Sequence, residues 1–217
     1  MSSSTWPPAS GLTTIVVPRK DAVLHIASST TIAAPASFVL ETVLHIENYK
    51  SWNQFVPSAR ILKQDLVEGR DASDFSHMHK GSIMNFDVVM DSKKPDKTTE
   101  TNLLVTDIST PDTPSDYLSH ELLQDPSFTA DLSKVYRVSW TTHGGFVARG
   151  LRSERFHEII VKSDHECEVR TWEVMGGLLA YTVKWMFQST LQTKFELWNS
   201  DLKQWCEKKY AARQEAT

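Results

Sequence analysis

From Gly176 to Tyr210 one helical period persists for about nine turns at 3.6 residues per turn, and nothing else in the chain restricts its fold as strongly. Leu178, Tyr181, Trp185, Phe195, Trp198, Leu202 and Trp205 recur at spacings of three and four or their multiples. That pattern predicts one long helix with a wide aromatic face. Gln188 and Gln192 interrupt the stripe on the face expected to be buried. The segments before the helix are short and follow a period of two. A long helix after a run of short strands points to a curved sheet wrapped around a helix, an arrangement that tends to leave a cavity.

Upstream, Val23 to Ile32 alternates and is rich in β-branched residues, which suits a first strand. Ala34-Pro35-Ala36-Ser37 opens a helix whose apolar face is Phe38, Val39, Thr42, Val43 and Ile46. A second short helix is expected over Trp52 to Val56, stopping before Pro57. Strands are expected over Arg60 to Leu66, Met78 to Met90, Thr98 to Ile108, Val135 to Thr142, Glu154 to Lys162 and Glu166 to Met175. Glu68 to Asp71 and Lys93 to Lys97 read as turns, and Ser163-Asp164-His165 as a hairpin connection. The order of strand, two short helices, about six antiparallel strands and one long helix places the chain in the α+β class.

Two segments stand outside that pattern. Residues 1–20 are rich in Ser, Thr and Pro and read as a loose, flexible arm, which leaves 21–213 as a single ligand-binding domain. Residues 109–133 hold three prolines and several Asp and Ser residues, and form a long insertion. Connections above about 12–15 residues serve as lids or binding loops, or stay disordered, and this composition favours disorder.

At 217 residues the chain buries roughly 70% of its unfolded surface without staples. A net charge of −4 with scattered Lys and Arg gives nucleic acid and anionic lipid no long-range attraction. Cys167 and Cys206 lack metal spacing and read as buried thiols in a reducing compartment. No secretory signal and no apolar run of about 20 residues is present, so a soluble, cytoplasmic chain without a membrane segment is expected. The expected partner is a small hydrophobic ligand, with the protein a monomer or homodimer.

The segments Ala33-Ala34-Pro35-Ala36-Ser37-Phe38-Val39 and Tyr49-Lys50-Ser51-Trp52-Asn53-Gln54-Phe55-Val56-Pro57, with Trp172 to Leu179 running through Gly176-Gly177, resemble the START-like (SRPBCC) superfamily. The likeness covers roughly residues 23–210 and departs in the arm and the 109–133 insertion. It implies the helix-grip fold: a curved antiparallel sheet of about seven strands around a long C-terminal helix, with two short helices after the first strand. The polyketide cyclase/dehydrase-like and coenzyme Q-binding-like branches are the nearest in pattern. That superfamily shares no catalytic motif, so the resemblance transfers no catalytic residue.

Candidate chemistry therefore rests on residue types. Arg155 and His157 share one face of a strand, Glu154 and Glu158 the other, and Glu173 precedes the glycine turn. Cyclising a polyketide chain needs an enolising base, an acid for the carbonyl oxygen and a shape that folds the chain. Glu173, His157 and Arg155 are suited to those catalytic tasks, although charged strand residues are commonly exposed. Phe86, Tyr136, Trp140, Tyr181 and Trp185 are expected to face inward as ligand-binding aromatics, with Gln188 able to bond a polar ligand atom.

His77 and His79 could share a zinc ion but show no third ligand, so they read as surface histidines and no metal site is expected. Phosphate loops, serine elbows and paired cysteine motifs are missing, and no cofactor is expected. The expected activity is cofactor-free cyclisation or dehydration of a hydrophobic or polyketide-like molecule. The alternative is a non-catalytic carrier of a lipid, quinone or sterol.

Overall fold

The alternating segments become seven strands, which among the described residues form one antiparallel sheet of order β1-β7-β6-β5-β4-β3-β2. The computed structural model describes residues 5–64, 75–145 and 147–216. In chain order the elements are β1 (Leu24–Ile32), α1 (Ala36–Leu44), α2 (Tyr49–Trp52), β2 (Ser58–Lys63), β3 (Ile83–Val88) and β4 (Thr99–Ser109). They continue with β5 (Val135–Thr142), α3 (Val147–Gly150), β6 (Arg152–Ser163), β7 (Glu166–Gly176) and α4 (Leu178–Glu215). This is the α+β helix-grip arrangement, with α4 lying in the concave side of the sheet. The expected turn at Glu68–Asp71 and the end of the expected strand at Leu66 lie outside the described residues.

Local chemistry sets the boundaries that differ from expectation. The second short helix ends at Trp52, because the Asn53 side-chain oxygen accepts the backbone N–H groups of Phe55 (3.1 Å) and Val56 (2.8 Å). An Asx turn of this kind offers the backbone an alternative to another helical turn. The strand expected from Met78 starts only at Ile83, since the Ser82 N–H turns back to the His79 carbonyl at 2.9 Å. At the entry to α4, Gly177 has a φ of 91°, and a Cβ there would lie 2.6 Å from the Gly150 carbonyl oxygen. Only glycine fits that approach.

The two faces of the sheet carry separate cores. On the concave side Met84, Phe86, Val105, Val138, Trp140, Ile159 and Val169 pack against α1, α2 and the second half of α4. Phe195, Trp198 and Leu202 are fully buried there, each stabilising by roughly 1.5–3 kcal/mol. On the convex side Phe156, Trp172 and Val174 are covered by Leu12, Val17, Leu118, Leu123 and Phe128.

That second core corrects the reading of both irregular segments. Residues 5–20, expected as a loose arm, hold Leu12 and Val17 buried and set Trp6 edge-on to Trp172 at 5.8 Å. The Trp172 indole N–H donates to the Thr13 carbonyl (3.2 Å), and the Thr13 N–H donates to the Ser127 hydroxyl (3.0 Å). Arg19 pairs with Asp125 at 2.8 Å. The insertion, expected as a lid or a disordered loop, packs Leu118, Leu123 and Phe128 on the convex face. A sheet apolar on both faces needs a layer on each, and the arm and the insertion together supply the outer one.

Candidate functional site

α4 behaves as two different helices. Beyond Leu191 its stripe is buried, but its first turns run past the sheet and expose Leu178 (84%), Tyr181 (64%) and Trp185 (86%). The expected inward placement of Tyr181 and Trp185 is therefore corrected, and Gln188 is exposed as well. The reason is position along the helix rather than helical phase. At 3.6 residues per turn Tyr181 lies only about 40° and Trp185 about 80° from the direction of Phe195, yet both stay exposed because these turns lie beyond the sheet. Val183, Phe187 and Leu191 are the helix residues that line the space between α4 and the strands. Gln192 is half-buried, and its side-chain N–H group donates to the Ala27 carbonyl at 2.9 Å.

Because this half of α4 stands away from the strands, a cavity of about 360 Å³ opens between it and β3–β7. Phe55, Phe86, Leu103, Trp140, Met175 and Leu191 give it apolar walls. Its polar residues include Ser153 and Arg155 from β6 and Glu173 from β7, together with Thr99, Thr101 and Thr142. Of the expected ligand-binding aromatics, Phe86 and Trp140 line the cavity. Tyr136 instead packs half-buried against the concave core.

Arg155 and Glu173 are register partners on adjacent strands, which aims both side chains into the same space. Arg155 is 6% exposed, and among the described residues it makes no ion pair. Its Nε donates to the Thr171 hydroxyl at 3.2 Å, while one Nη2 has no hydrogen-bond partner. Its guanidinium carbon lies 3.9 Å from the centre of the Phe195 ring and 5.2 Å from that of Trp198. Burial lowers its pKa to about 10, against the pull of Glu173 and Tyr49, so the group stays cationic at neutral pH. Burial also pushes the Glu173 carboxyl above its usual range, and Arg155 and the Ser153 hydroxyl hold part of that rise back.

His157 sits one layer deeper and does not line the cavity. Its ring lies between Trp140 (4.6 Å) and Trp198 (4.4 Å), fully buried, with neither nitrogen hydrogen-bonded. Desolvation first, and then the Arg155 charge, lowers its pKa well below 6.5, so the ring is neutral. The expected catalytic trio thus separates into two cavity groups and one enclosed imidazole. Sequence reasoning missed Ser153, although it shares strand parity with Arg155, and it missed the Val183–Phe187–Leu191 face.

Elsewhere, Cys167 and Cys206 are buried free thiols, with pKa values pushed up to about 12 by desolvation. His77 bridges to His45 at the end of α1, with Glu41 beside it. Among the described residues no helix is long and apolar enough to cross a membrane.

No protein-family profile matches the chain. It is 29% identical over 191 residues to oxopyrrolidines biosynthesis cluster protein O of Penicillium oxalicum, a match covering 80% of this chain and 82% of that one. Among solved structures it is similar to a hypothetical protein of Helicobacter pylori, with a TM-score of 0.59, 9% identity, and 95% and 97% of the two chains covered. A START superfamily protein from Mycobacterium smegmatis gives 0.55 at 13% identity, covering 85% and 97%. The Zhui aromatase/cyclase from a Streptomyces gives 0.55 at 10% identity, covering 85% and 93%. The chain has the START-like helix-grip fold.

Proposed function

We propose that the cavity binds a small hydrophobic, carbonyl-bearing molecule of polyketide type and promotes its cyclisation or dehydration by acid–base chemistry. The observation that carries this reading is the pair Arg155 and Glu173, aimed from adjacent strands into an otherwise largely apolar cavity. An unpartnered cationic N–H there matches an oxyanion that develops during reaction. A carboxyl raised by desolvation is the better proton acceptor once ionised, and works closer to neutral pH. Support also comes from the fold shared with an aromatase/cyclase and from the likeness to a biosynthesis cluster protein.

In the dehydration, the Glu173 carboxylate removes the proton α to the substrate carbonyl, and Arg155 Nη2 donates to the resulting enolate oxygen. The enolate electrons form the new C=C bond as the β C–O bond breaks. Glu173 returns its proton to the leaving hydroxide, water departs and the carboxylate is restored. In the cyclisation the same enolate carbon attacks a second carbonyl of the chain, and Glu173 protonates the alkoxide. His157 touches neither reacting group. It is a positioning residue, holding Trp140 and Trp198 apart beneath the cavity floor.

The test uses a simple β-hydroxy ketone, the aldol of benzaldehyde and acetone, with its conversion to benzalacetone followed by absorbance. The wild-type protein is expected to accelerate the reaction, and Glu173→Gln to lower turnover by about 10²-fold with its fold intact. Equal rates in both proteins remove Glu173 from the chemistry. Saturable binding without any acceleration favours the second reading, a non-catalytic carrier of a lipid, quinone or sterol. The apolar lining by Phe55, Phe86, Leu103 and Met175 is the observation on that side.

A further inference from the structure

At the end of α1, away from the cavity, two imidazoles and a carboxylate converge. We infer that Glu41, His45 and His77 form a binding site for a divalent transition-metal ion, with zinc the best match to the donor set.

Their convergence is fixed by backbone. Glu41 lies on the last turn of α1 and His45 caps the helix, its N–H donating to the Glu41 carbonyl at 3.0 Å, which keeps the two residues together at the helix end. His77 is brought to them by an antiparallel bridge to His45, and the Met78 N–H donates to the Leu44 carbonyl at 3.0 Å. The ligand atoms of all three residues lie within 4.8 Å of one another. His77 Nε2 is 2.7 Å from Glu41 Oε1, and the two rings stack with centroids 4.1 Å apart. Two imidazoles and one carboxylate are a recurrent zinc set, with bond lengths near 2.0–2.2 Å. Those lengths put neighbouring donors about 3.4 Å apart in a tetrahedron. The widest donor spacing has to close by at most about 1.4 Å and the His77–Glu41 pair, now 2.7 Å apart, to open by less than about 1 Å, shifts within reach of side-chain torsions in residues that are partly or fully exposed.

The second nitrogen of each ring is already engaged. His45 Nδ1 faces the Asn48 side-chain amide at 2.9 Å, and His77 Nδ1 faces the Ser76 hydroxyl at 2.7 Å. As it stands Asn48 Nδ2 donates to His45 Nδ1, so ligation by His45 Nε2 requires the amide to turn its oxygen to the ring and accept from Nδ1–H; His77 Nδ1 can donate to the Ser76 hydroxyl without rearrangement. Outer partners of this kind fix the tautomer that binds metal. The remaining coordination position is open, because Glu41 and His45 line a surface cleft of about 470 Å³. Glu47 adds negative charge, its carboxylate lying 3.8 Å from His45 Nε2. Sequence spacing hid the site because two of its ligands, Glu41 and His45, come from the end of α1, and only His77 comes from the His77-x-His79 pair.

The experiment is a calorimetric titration of zinc chloride into chelator-stripped protein, repeated with His45→Ala and His77→Ala. Cobalt absorption serves as a second readout of coordination. Both histidines are half-exposed, so each variant is expected to keep the wild-type Tm without metal. The wild type is expected to bind one equivalent, gain Tm with zinc and show a cobalt spectrum of low coordination number. Each variant is expected to lose at least about tenfold in affinity, together with the Tm gain. No saturable binding by the wild type overturns the site. So does one-equivalent binding that survives in both variants, which would place the ion on other residues.

Discussion

β6 carries charged residues on both of its faces, and the two faces treat them oppositely. On the convex face Glu158 is completely satisfied. It accepts from Arg137 Nε at 2.6 Å, from the Thr129 N–H at 3.0 Å and from the Thr129 hydroxyl at 2.6 Å. Arg137 also donates to the Thr129 carbonyl. Glu154 on the same face accepts from the Val16 N–H (3.0 Å) and the Tyr117 hydroxyl (2.6 Å). On the concave face Arg155 keeps an unpartnered N–H, and His157 has two unpartnered nitrogens. Buried polar groups are normally paired, and leaving one unpaired costs roughly 1–3 kcal/mol. The convex face is built as structure, fastening the arm and the insertion. The concave face holds polar groups in a state that suits a ligand rather than the fold.

The largest effect that can test this contrast is on the convex side. Glu158→Ala leaves the buried Arg137 cation uncompensated and is expected to destabilise by about 3–5 kcal/mol in urea unfolding. A loss below about 1 kcal/mol, the range of an exposed pair, would show that this network is not what fastens the outer layer.

His157 gives the next effect, through pH. Its folded pKa lies below the unfolded value of 6.5, so between the two the unfolded chain binds more protons. Stability from this group is therefore complete above pH 6.5 and lost as the pH falls below it. The slope approaches about 1.4 kcal/mol per pH unit. His157→Phe is expected to remove that slope while changing stability near pH 7.5 by under about 1.5 kcal/mol, since the exchange is close in volume. Parallel pH profiles for the two proteins would mean that His157 is hydrated and not sealed between the tryptophans.

Much of this was legible in the sequence. Strand parity alone put Arg155 and His157 opposite Glu154 and Glu158, and the period switch placed the sheet before the helix. The helix-grip fold follows from that order. The register that brings Glu173 opposite Arg155 depends on how β6 and β7 pair, which parity does not specify. The outer layer was missed because Leu118, Leu123 and Phe128 are sparse and aperiodic. Its signal lay elsewhere, in Phe156 and Trp172, bulky residues on the face opposite Arg155 and Thr171 that had to be covered. The α4 error came from extending one inward stripe along the whole helix: Tyr181 keeps nearly the phase of Phe195, and it is exposed because the first turns lie beyond the sheet, which periodicity does not show.

Binding of anilinonaphthalene sulfonate, an aromatic anion, tests most directly whether the concave face is a ligand site. Its rings match the apolar walls and its sulfonate matches the open Arg155 N–H. Wild type is expected to bind one equivalent, Arg155→Met about tenfold more weakly, corresponding to about 1.4 kcal/mol. Thr101→Trp, which fills the cavity, should abolish binding, and Trp185→Ser should leave it unchanged. Binding that survives Thr101→Trp and Arg155→Met but disappears in Trp185→Ser would place the probe on the exposed start of α4 and contradict a ligand site on the concave face.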